Sequence, residues 1–466
     1  MSFVLGVVSL FSCSASEGDN EAPVDVISED GTEEEQDKRQ EERDVDALSG
    51  FDGKLEAEGS IGFSLGDVLA LPLESSPGFR DGAASFDSFC VGSAGDVSIE
   101  NAAWLSYFSA NEYSNPFERS KMLVELGFGN ELDRVFRTCV DELDALRFSA
   151  NEMTLEDFNA LPGECTRSWV RETFGEPNDN ETVVVPGKGA NLRQLFGEHL
   201  LETQTPLHDI EFFTDGGFSA DSSNGDEINE LGTTQASWAK RSNAETNGAD
   251  TVVVTFRGTE FSQLQDVFTN LAFFQRSLED FGFSSEWGSA HRGFLGAAFS
   301  SGLDALRERL RALDGSGTEV WITGHSLGAA LATLFVADVL NMIENEGLEL
   351  NLKGLYTFGS PRVGNSRFVS TLQGALRSHG VESARFRNDR DTVTRIPKWG
   401  YSHLDTLAFL KDDFGNGRWL EYDISIREPW FSSVNDHSSS RYYSKLLEDF
   451  GNREKLPQAL QCQREE

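Results

Sequence analysis

The sequence predicts an α/β fold in which a mostly parallel central sheet is flanked by helices. The strongest observation is at residues 318–332, where a strand-like apolar run breaks at Gly-His-Ser-Leu-Gly and resumes as an Ala-rich helix. A second observation is at residues 384–397, where an alternating strand pattern runs into a polar turn that ends at a proline. Each of the two patterns predicts a strand whose end places polar side chains at one edge of a sheet.

Ser326 lies at the break between the first predicted strand and its helix. A serine in such a tight turn exposes its hydroxyl, and Gly324 and Gly328 let the strand and the helix approach closely because they carry no side chain. The first amides of the helix face the serine and favour negative charge there. The pattern therefore predicts that Ser326 is a nucleophile for acyl transfer.

A serine nucleophile of this kind is followed along the chain by an acid and then by a histidine. Of the seven histidines, only His403 and His437 lie beyond both the serine and a suitable acid. The second polar turn offers Asp389 and Asp391, and either carboxylate can orient an imidazole. The same carboxylates also fit a solvated turn beside arginines. Histidines that precede the acid, such as His325, are expected to pack or hydrogen-bond around the serine.

Further motifs occur in a fixed order along the chain. Residues 251–259 read Thr-Val-Val-Val-Thr-Phe-Arg-Gly-Thr, residues 291–294 read His-Arg-Gly-Phe, and residues 356–365 read Tyr-Thr-Phe-Gly-Ser-Pro-Arg-Val-Gly-Asn. With these blocks the chain resembles the lipase class 3 family, the fungal-type lipases of the α/β-hydrolase superfamily. The resemblance implies an α/β-hydrolase fold with a helical extension or insertion towards the N-terminus.

The resemblance also separates the two acids. The family's acid motif is Asn-x-x-Asp-x-Val-Pro-x-x-Pro, and it corresponds to residues 388–397 of this chain. It selects Asp391 rather than Asp389. Thr394 departs from the pattern because it stands where the first proline is usual.

The resemblance separates the two histidines in the same way. A terminal Asp-His-x-x-x-x-Tyr motif corresponds to residues 436–442 and selects His437 as the base, whereas His403 matches a structural position of the family. The backbone amides of Leu327 and Thr259 are expected to form the oxyanion hole.

The implied activity is hydrolysis of carboxylic ester bonds of acylglycerols by Ser326, Asp391 and His437, through an acyl-enzyme intermediate. The resemblance suits a feruloyl esterase, a phospholipase A1 or a general carboxylesterase on the same triad as well. A different alternative is a catalytically silent lipid-binding protein. A lipid or small ester at a lipid–water interface is the expected partner, and no cofactor or metal is expected.

Residues 260–274 follow the predicted oxyanion strand and carry large apolar side chains near helical spacing. The family has its lid at this place. Such a helix covers the serine in water with its apolar face inward, and it opens at a lipid surface. Burial of the same side chains in an ordinary core explains the periodicity equally well.

The N-terminal part of the chain predicts export. Residues 1–16 contain a short apolar run that ends in Leu-Phe-Ser-Cys, which fits a cleaved export signal or a lipoprotein signal with lipidation at Cys13. Residues 17–48 are rich in Glu and Asp and predict a disordered linker. Residues 49–466 are then expected to form one domain with an unassigned insertion at about 128–230. The four remaining cysteines allow two disulfides in three pairings: Cys90, Cys139, Cys165 and Cys462.

The charge balance limits the partners. The formal net charge is −39. Nucleic acid is therefore excluded as an expected partner, and an anionic membrane surface should repel the chain. A neutral lipid or ester is compatible with this charge. The histidine and cysteine spacing matches no zinc motif, and no phosphate-binding glycine loop follows a strand.

Overall fold

The computed structural model of this protein describes residues 89–90, 97–113, 119, 122–123, 126–129, 142, 146, 148, 151–187, 209–214, 234–242, 249–258, 274–404, 407–413, 417–421 and 435–451. The predicted export signal at 1–16, the linker at 17–48 and the lid segment at 260–274, apart from its last residue, lie outside the described residues. So does Thr259, one of the two predicted oxyanion residues.

The described strands are β1 (Glu152–Met153), β2 (Val183–Val184), β3 (Ile210–Thr214), β4 (Thr234–Arg241), β5 (Thr251–Phe256), β6 (Gln275–Ser277), β7 (Ser289–His291), β8 (Glu319–His325), β9 (Asn351–Phe358), β10 (Glu382–Asn388), β11 (Leu407–Asp413) and β12 (Gly417–Glu421). The described α-helices are α1 (Ile99–Asn111), α2 (Leu155–Asn159), α3 (Glu164–Phe174), α4 (Arg292–Ala298), α5 (Asp304–Arg311), α6 (Leu327–Glu346), α7 (Ser366–Ser378) and α8 (Ser439–Gly451).

Eight strands form the central sheet in the order β12-β11-β10-β9-β8-β5-β4-β3. The pairs from β5 through β8, β9 and β10 to β11 are parallel, and the pairs at the two edges are antiparallel. In a parallel sheet the carboxyl ends of the strands meet at one edge, which brings the turns after β8 and β10 together. The predicted α/β-hydrolase fold with its mostly parallel sheet is confirmed.

The two faces of the sheet bury separate hydrophobic clusters because successive side chains of a strand point to opposite faces. Val252 and Val254 of β5 belong to the cluster that contains α6, whereas Val253 belongs to the cluster that contains α1 and α8. Helix α6 is buried over most of its length and ends at Gly347, whose φ of 73° suits glycine. By length and composition α6 could cross a membrane, but most of it is buried in this core.

Part of the predicted insertion forms a small unit of its own. Helices α2 and α3 and the hairpin of β1 and β2 surround a separate cluster of Leu146, Phe148, Met153, Phe158, Leu161, Trp169, Val170 and Val185. Strand β3 also lies within the insertion, yet it pairs with β4 and supplies an edge of the central sheet. None of the predicted site residues lies in this unit.

Cys90 forms a disulfide bond, and the pairing of the other cysteines stays a prediction.

Candidate active site

Ser326 lies in a sharp turn between β8 and α6. Its backbone has φ 59° and ψ −127°, a conformation that is costly for any residue other than glycine. The Ser326 amide donates a hydrogen bond of 2.9 Å to the carbonyl oxygen of Phe358 on β9, which holds the turn in place. Backbone strain of this kind concentrates at functional sites.

Gly324 and Gly328 permit the close approach that the sequence predicts. A Cβ atom on Gly324 would lie 2.4 Å from the carbonyl oxygen of Gly328. A Cβ atom on Gly328 would lie 2.2 Å from the carbonyl oxygen of Phe256 on β5. Neither position can accept a side chain without movement of the backbone. The first turn of α6 is therefore packed directly against the ends of β5 and β8, beside Ser326.

Three of the predicted site residues form a continuous hydrogen-bonded chain. His437 Nε2 lies 2.8 Å from Ser326 Oγ, and His437 Nδ1 lies 2.9 Å from Asp391 Oδ2 and 3.0 Å from Asp391 Oδ1. Asp391 lies in the turn after β10, and His437 lies in a 3₁₀ turn just before α8. All three side chains are fully buried, so the solvent-exposed Ser326 hydroxyl that the tight turn predicts is not observed. The imidazole thus bridges the hydroxyl and the carboxylate, as proton transfer from a serine requires.

The Asp391 carboxylate accepts two further hydrogen bonds. The Val393 amide donates to Oδ1 over 2.8 Å, and the Tyr442 hydroxyl donates to Oδ2 over 2.5 Å. Burial, followed by the charge of Asp391, raises the pKa of Tyr442 well above its usual value, so this hydroxyl keeps its proton. The Tyr442 oxygen accepts in turn from the Asn388 amide over 2.9 Å. These donors fix the carboxylate that faces His437.

The other acid and base candidates lie elsewhere. Asp389 has φ 28° and its carboxylate pairs with Arg390 at 3.2 Å. His403 Nε2 lies 2.5 Å from the carbonyl oxygen of Thr394, so this ring donates to the acid turn rather than to the serine. His291 Nδ1 accepts from the backbone amides of Gly293 and Phe294 in α4. The structure therefore separates the alternatives that chain order leaves open.

Of the two predicted oxyanion residues, the structure describes Leu327 but not Thr259. Leu327 is the first residue of α6, directly after the nucleophile, at the positive end of the helix. Gly258, which precedes Thr259, lies beside the serine, since a Cβ atom on Gly258 would be 3.1 Å from Ser326 Cβ. The chain just after β5 thus passes beside the nucleophile. The oxyanion role of Leu327 and Thr259 stays a prediction.

No metal centre is evident in the described part of the chain. Among those residues, no group of three or more His, Cys, Asp or Glu side chains is arranged to hold a metal ion.

Comparison with known proteins agrees with this geometry. Residues 253–401 match the model of the family described as lipase (class 3). This part of the chain belongs to the class 3 lipase family. The match begins on β5 and includes both Ser326 and Asp391, whereas His437 lies beyond it. The family that the sequence motifs predict is confirmed.

The matches to individual relatives cover only a limited part of each relative's length. Phospholipase A1-II 1 of Oryza sativa subsp. indica is 38% identical over 104 residues, which are 22% of this chain and 24% of the relative. Triacylglycerol lipase OBL1 of Nicotiana tabacum is 36% identical over 109 residues, which are 22% of this chain and 18% of the relative. The chain thus spans about a quarter or less of these relatives. A solved structure of the Rhizomucor miehei lipase with its propeptide is 28% identical with a TM-score of 0.34, covering 43% of this chain and 63% of that one.

Two contacts of the site were not predicted from the sequence. Tyr442 closes the terminal motif of the class 3 lipases, but the motif does not say that its hydroxyl binds the acid. Gly359 directly follows β9, within the motif at residues 356–365, and has φ 61°. A Cβ atom there would lie 2.9 Å from His437 Cε1 and 3.0 Å from Asp391 Oδ2. Gly359 thus packs against both His437 and Asp391 at the place where the two side chains contact each other.

Replacing Gly359 with alanine is expected to lower kcat/KM for ester hydrolysis about 100-fold, because the new methyl group displaces the imidazole from the carboxylate. The left-handed backbone adds strain to the variant. Gly374→Ala is the matched control, since Gly374 lies in α7 and a Cβ atom there meets nothing within 4 Å. Equal activity of the two variants at equal thermal stability would contradict this role of Gly359.

The stability of the protein is expected to fall as the pH drops below about 6.5, partly because of His403. Burial, followed by the charges of Arg385 and Arg362, lowers the pKa of His403 well below its usual value. Below about pH 6.5, His403 therefore binds a proton in the unfolded chain but not in the folded protein. The stability that is present above the pKa of His403 in the unfolded chain is lost as the pH falls. His403→Gln keeps a donor for Thr394 but cannot be protonated.

This variant should therefore lose less stability on acidification than the wild type, by up to about 1.4 kcal/mol per pH unit. The measurement is the free energy of unfolding in urea at pH 7, 6 and 5. Carboxyl groups common to both proteins cancel in the difference. Parallel curves for the two proteins would refute the neutral state of His403 in the folded protein.

Proposed function

We propose that this protein is a serine carboxylic ester hydrolase that acts on lipid esters. The observation that carries the proposal is the buried chain of hydrogen bonds from Ser326 through His437 to Asp391. A hydroxyl is a weak nucleophile at neutral pH, and an adjacent imidazole held by a carboxylate is what activates it. Each of the three groups lies within the distance that its step requires.

The proposed reaction proceeds through a covalent acyl-enzyme. His437 removes the proton of Ser326 as its oxygen attacks the ester carbonyl carbon, and Asp391 stabilises the resulting imidazolium. The amides of Leu327 and Thr259 are proposed to bind the oxyanion of the tetrahedral intermediate. His437 then returns the proton to the departing alcohol. Water repeats the same cycle on the acyl-enzyme and releases the carboxylic acid.

The proposed substrates are neutral acylglycerols, with phospholipids as the second candidate. Relatives of this chain include proteins named triacylglycerol lipase and proteins named phospholipase A1. Both classes cleave an ester between a fatty acid and a glycerol oxygen. The net charge of −39 favours an uncharged lipid surface over an anionic one.

We propose that a mobile segment of the chain covers Ser326. Ser326 is fully buried, and a segment that moves away at a lipid surface would give a bulky ester access to its hydroxyl. We assign this cover to residues 260–274, which lead from the predicted oxyanion strand to β6. Export, with or without lipidation of Cys13, is part of the same proposal because of the short apolar run that ends in Leu-Phe-Ser-Cys within residues 1–16.

The test is an assay of the purified full-length protein on p-nitrophenyl esters of graded acyl length, emulsified triacylglycerol and phosphatidylcholine vesicles. Hydrolysis of medium or long acyl chains with a rate that rises above the solubility limit is expected. Preference for phosphatidylcholine over triacylglycerol would favour a phospholipase A1. Lipid binding without hydrolysis of any ester would refute the proposal and favour the silent lipid-binding protein.

A further inference from the structure

The residue before the nucleophile contacts the residue that serves as the base. His325 is buried at the end of β8, and its Nε2 atom lies 2.7 Å from the main-chain carbonyl oxygen of His437. The rings of His325 and His437 contact each other at a tilt, with centroids 4.6 Å apart and an interplanar angle of 33°. On its other side, His325 Nδ1 lies 2.8 Å from the hydroxyl of Tyr113.

The partners of His325 determine the direction of both hydrogen bonds. A carbonyl oxygen only accepts, so the proton of the neutral ring must be on Nε2 and must point at His437. Nδ1 then carries a lone pair, and the Tyr113 hydroxyl must donate to it. One chain of donors therefore runs from Tyr113 through His325 to the main chain of His437. Burial, followed by the nearby His437, lowers the pKa of His325 well below its usual value, which keeps the ring neutral.

The end of helix α1 is built to hold Tyr113 in place. Glu112 and Arg119 form a buried ion pair at 2.5 Å. Ser237 on β4 donates to Glu112 over 2.8 Å and accepts from Arg119, so the pair is tied to the sheet. Because Glu112 is adjacent to Tyr113, this anchor restricts the backbone that carries the hydroxyl.

We propose that Tyr113 and His325 are positioning residues that fix the backbone of His437 relative to the nucleophile. This inference rests on the proposed function of Ser326 and His437, which it deepens. His325 is covalently next to Ser326 and hydrogen-bonded to His437, so a single residue sets the separation of the hydroxyl and the imidazole. The 2.8 Å contact between Ser326 Oγ and His437 Nε2 depends on this separation. Neither positioning residue belongs to the triad of Ser326, His437 and Asp391.

Three variants of the full-length protein test the inference. His325→Leu removes both hydrogen bonds, and Tyr113→Phe removes only the hydroxyl that orients the ring. His325→Gln restores a donor, because its side-chain amide nitrogen can take the place of Nε2 and reach the carbonyl of His437. His379→Leu is the matched control, since His379 follows α7 at the surface and faces Glu344.

For soluble p-nitrophenyl esters, we expect kcat to fall about 100-fold in His325→Leu and about tenfold in Tyr113→Phe, with KM changed less than twofold. His325→Gln should recover to within about fivefold of the wild type, and His379→Leu should match it. A second readout is the far-downfield proton resonance of the His437–Asp391 hydrogen bond in NMR spectra. This resonance should broaden or disappear in His325→Leu and persist in His325→Gln.

Two results would overturn the inference. One is a His325→Leu protein that retains wild-type kcat and the downfield resonance. The other is a His325→Gln protein as impaired as His325→Leu while both melt at the wild-type temperature, since that would show a need for the imidazole itself. Failure of the proposed function is distinguishable, because the wild type would then hydrolyse no ester while the resonance still reports on the position of His437.

Discussion

Replacing Ser326 with alanine is expected to lower kcat for ester hydrolysis about 10⁶-fold, the loss typical of removing a serine nucleophile. The change removes one oxygen atom from a fully buried position, so we expect the free energy of unfolding to change little. Water could still attack the ester with help from His437, but without a covalent intermediate. The measurement is the steady-state rate of release of p-nitrophenol by the purified variant.

Ser370→Ala provides the control for this experiment. Ser370 lies in α7, is exposed, and bonds to the carbonyl oxygen of Ser366 in its own helix. The control should keep the wild-type rate. A Ser326→Ala protein that retains even a few per cent of the wild-type rate, free of contaminating esterase, would refute the assignment of the nucleophile.

Replacing Asp391 with asparagine is expected to lower kcat about 10⁴-fold. An amide of the same shape would turn its NH₂ group towards His437 or accept less strongly, so the imidazole would adopt the wrong tautomer and lose its orienting charge. The loss should be largest at neutral pH, where a neutral imidazole must act as the base. The pH–rate profile of the variant, measured between pH 5 and 10, checks this expectation.

Asp389→Asn is the matched control for the acid. Asp389 is two residues away, pairs with Arg390, and has a positive φ that asparagine tolerates well. The control should stay within about twofold of the wild-type rate, since surface-type ion pairs contribute little. Comparable losses in both variants would mean that the acid turn is needed only for structure.

Much of the site could be predicted because its chemistry imposes local sequence constraints. The turn at Ser326 requires glycine on both sides, and these glycines are visible in the sequence as a motif. Chain order limits the base to His403 or His437. It cannot decide between them, because the choice depends on which histidine the fold brings to the end of β8. The family motif supplied that decision, and the structure reports the same residue beside the serine.

The contacts that could not be predicted join distant parts of the chain without a local pattern. Tyr113 lies 212 residues before its partner His325, and nothing in the residues around it indicates a hydrogen bond to the turn at Ser326. Gly359 looks like any turn glycine until the imidazole is placed above it. The insertion at 128–230 carries no motif because a small hydrophobic cluster and an edge strand constrain residue type only weakly.

The most direct test of the account is covalent labelling with diethyl p-nitrophenyl phosphate. The attack of an activated serine on phosphorus releases one p-nitrophenolate and leaves a diethyl phosphate group that resists hydrolysis. The account predicts one label per chain, located by mass spectrometry on the peptide that contains Ser326, and no label in Ser326→Ala. A stable label on another residue, or no reaction with a protein that binds lipid, would contradict it.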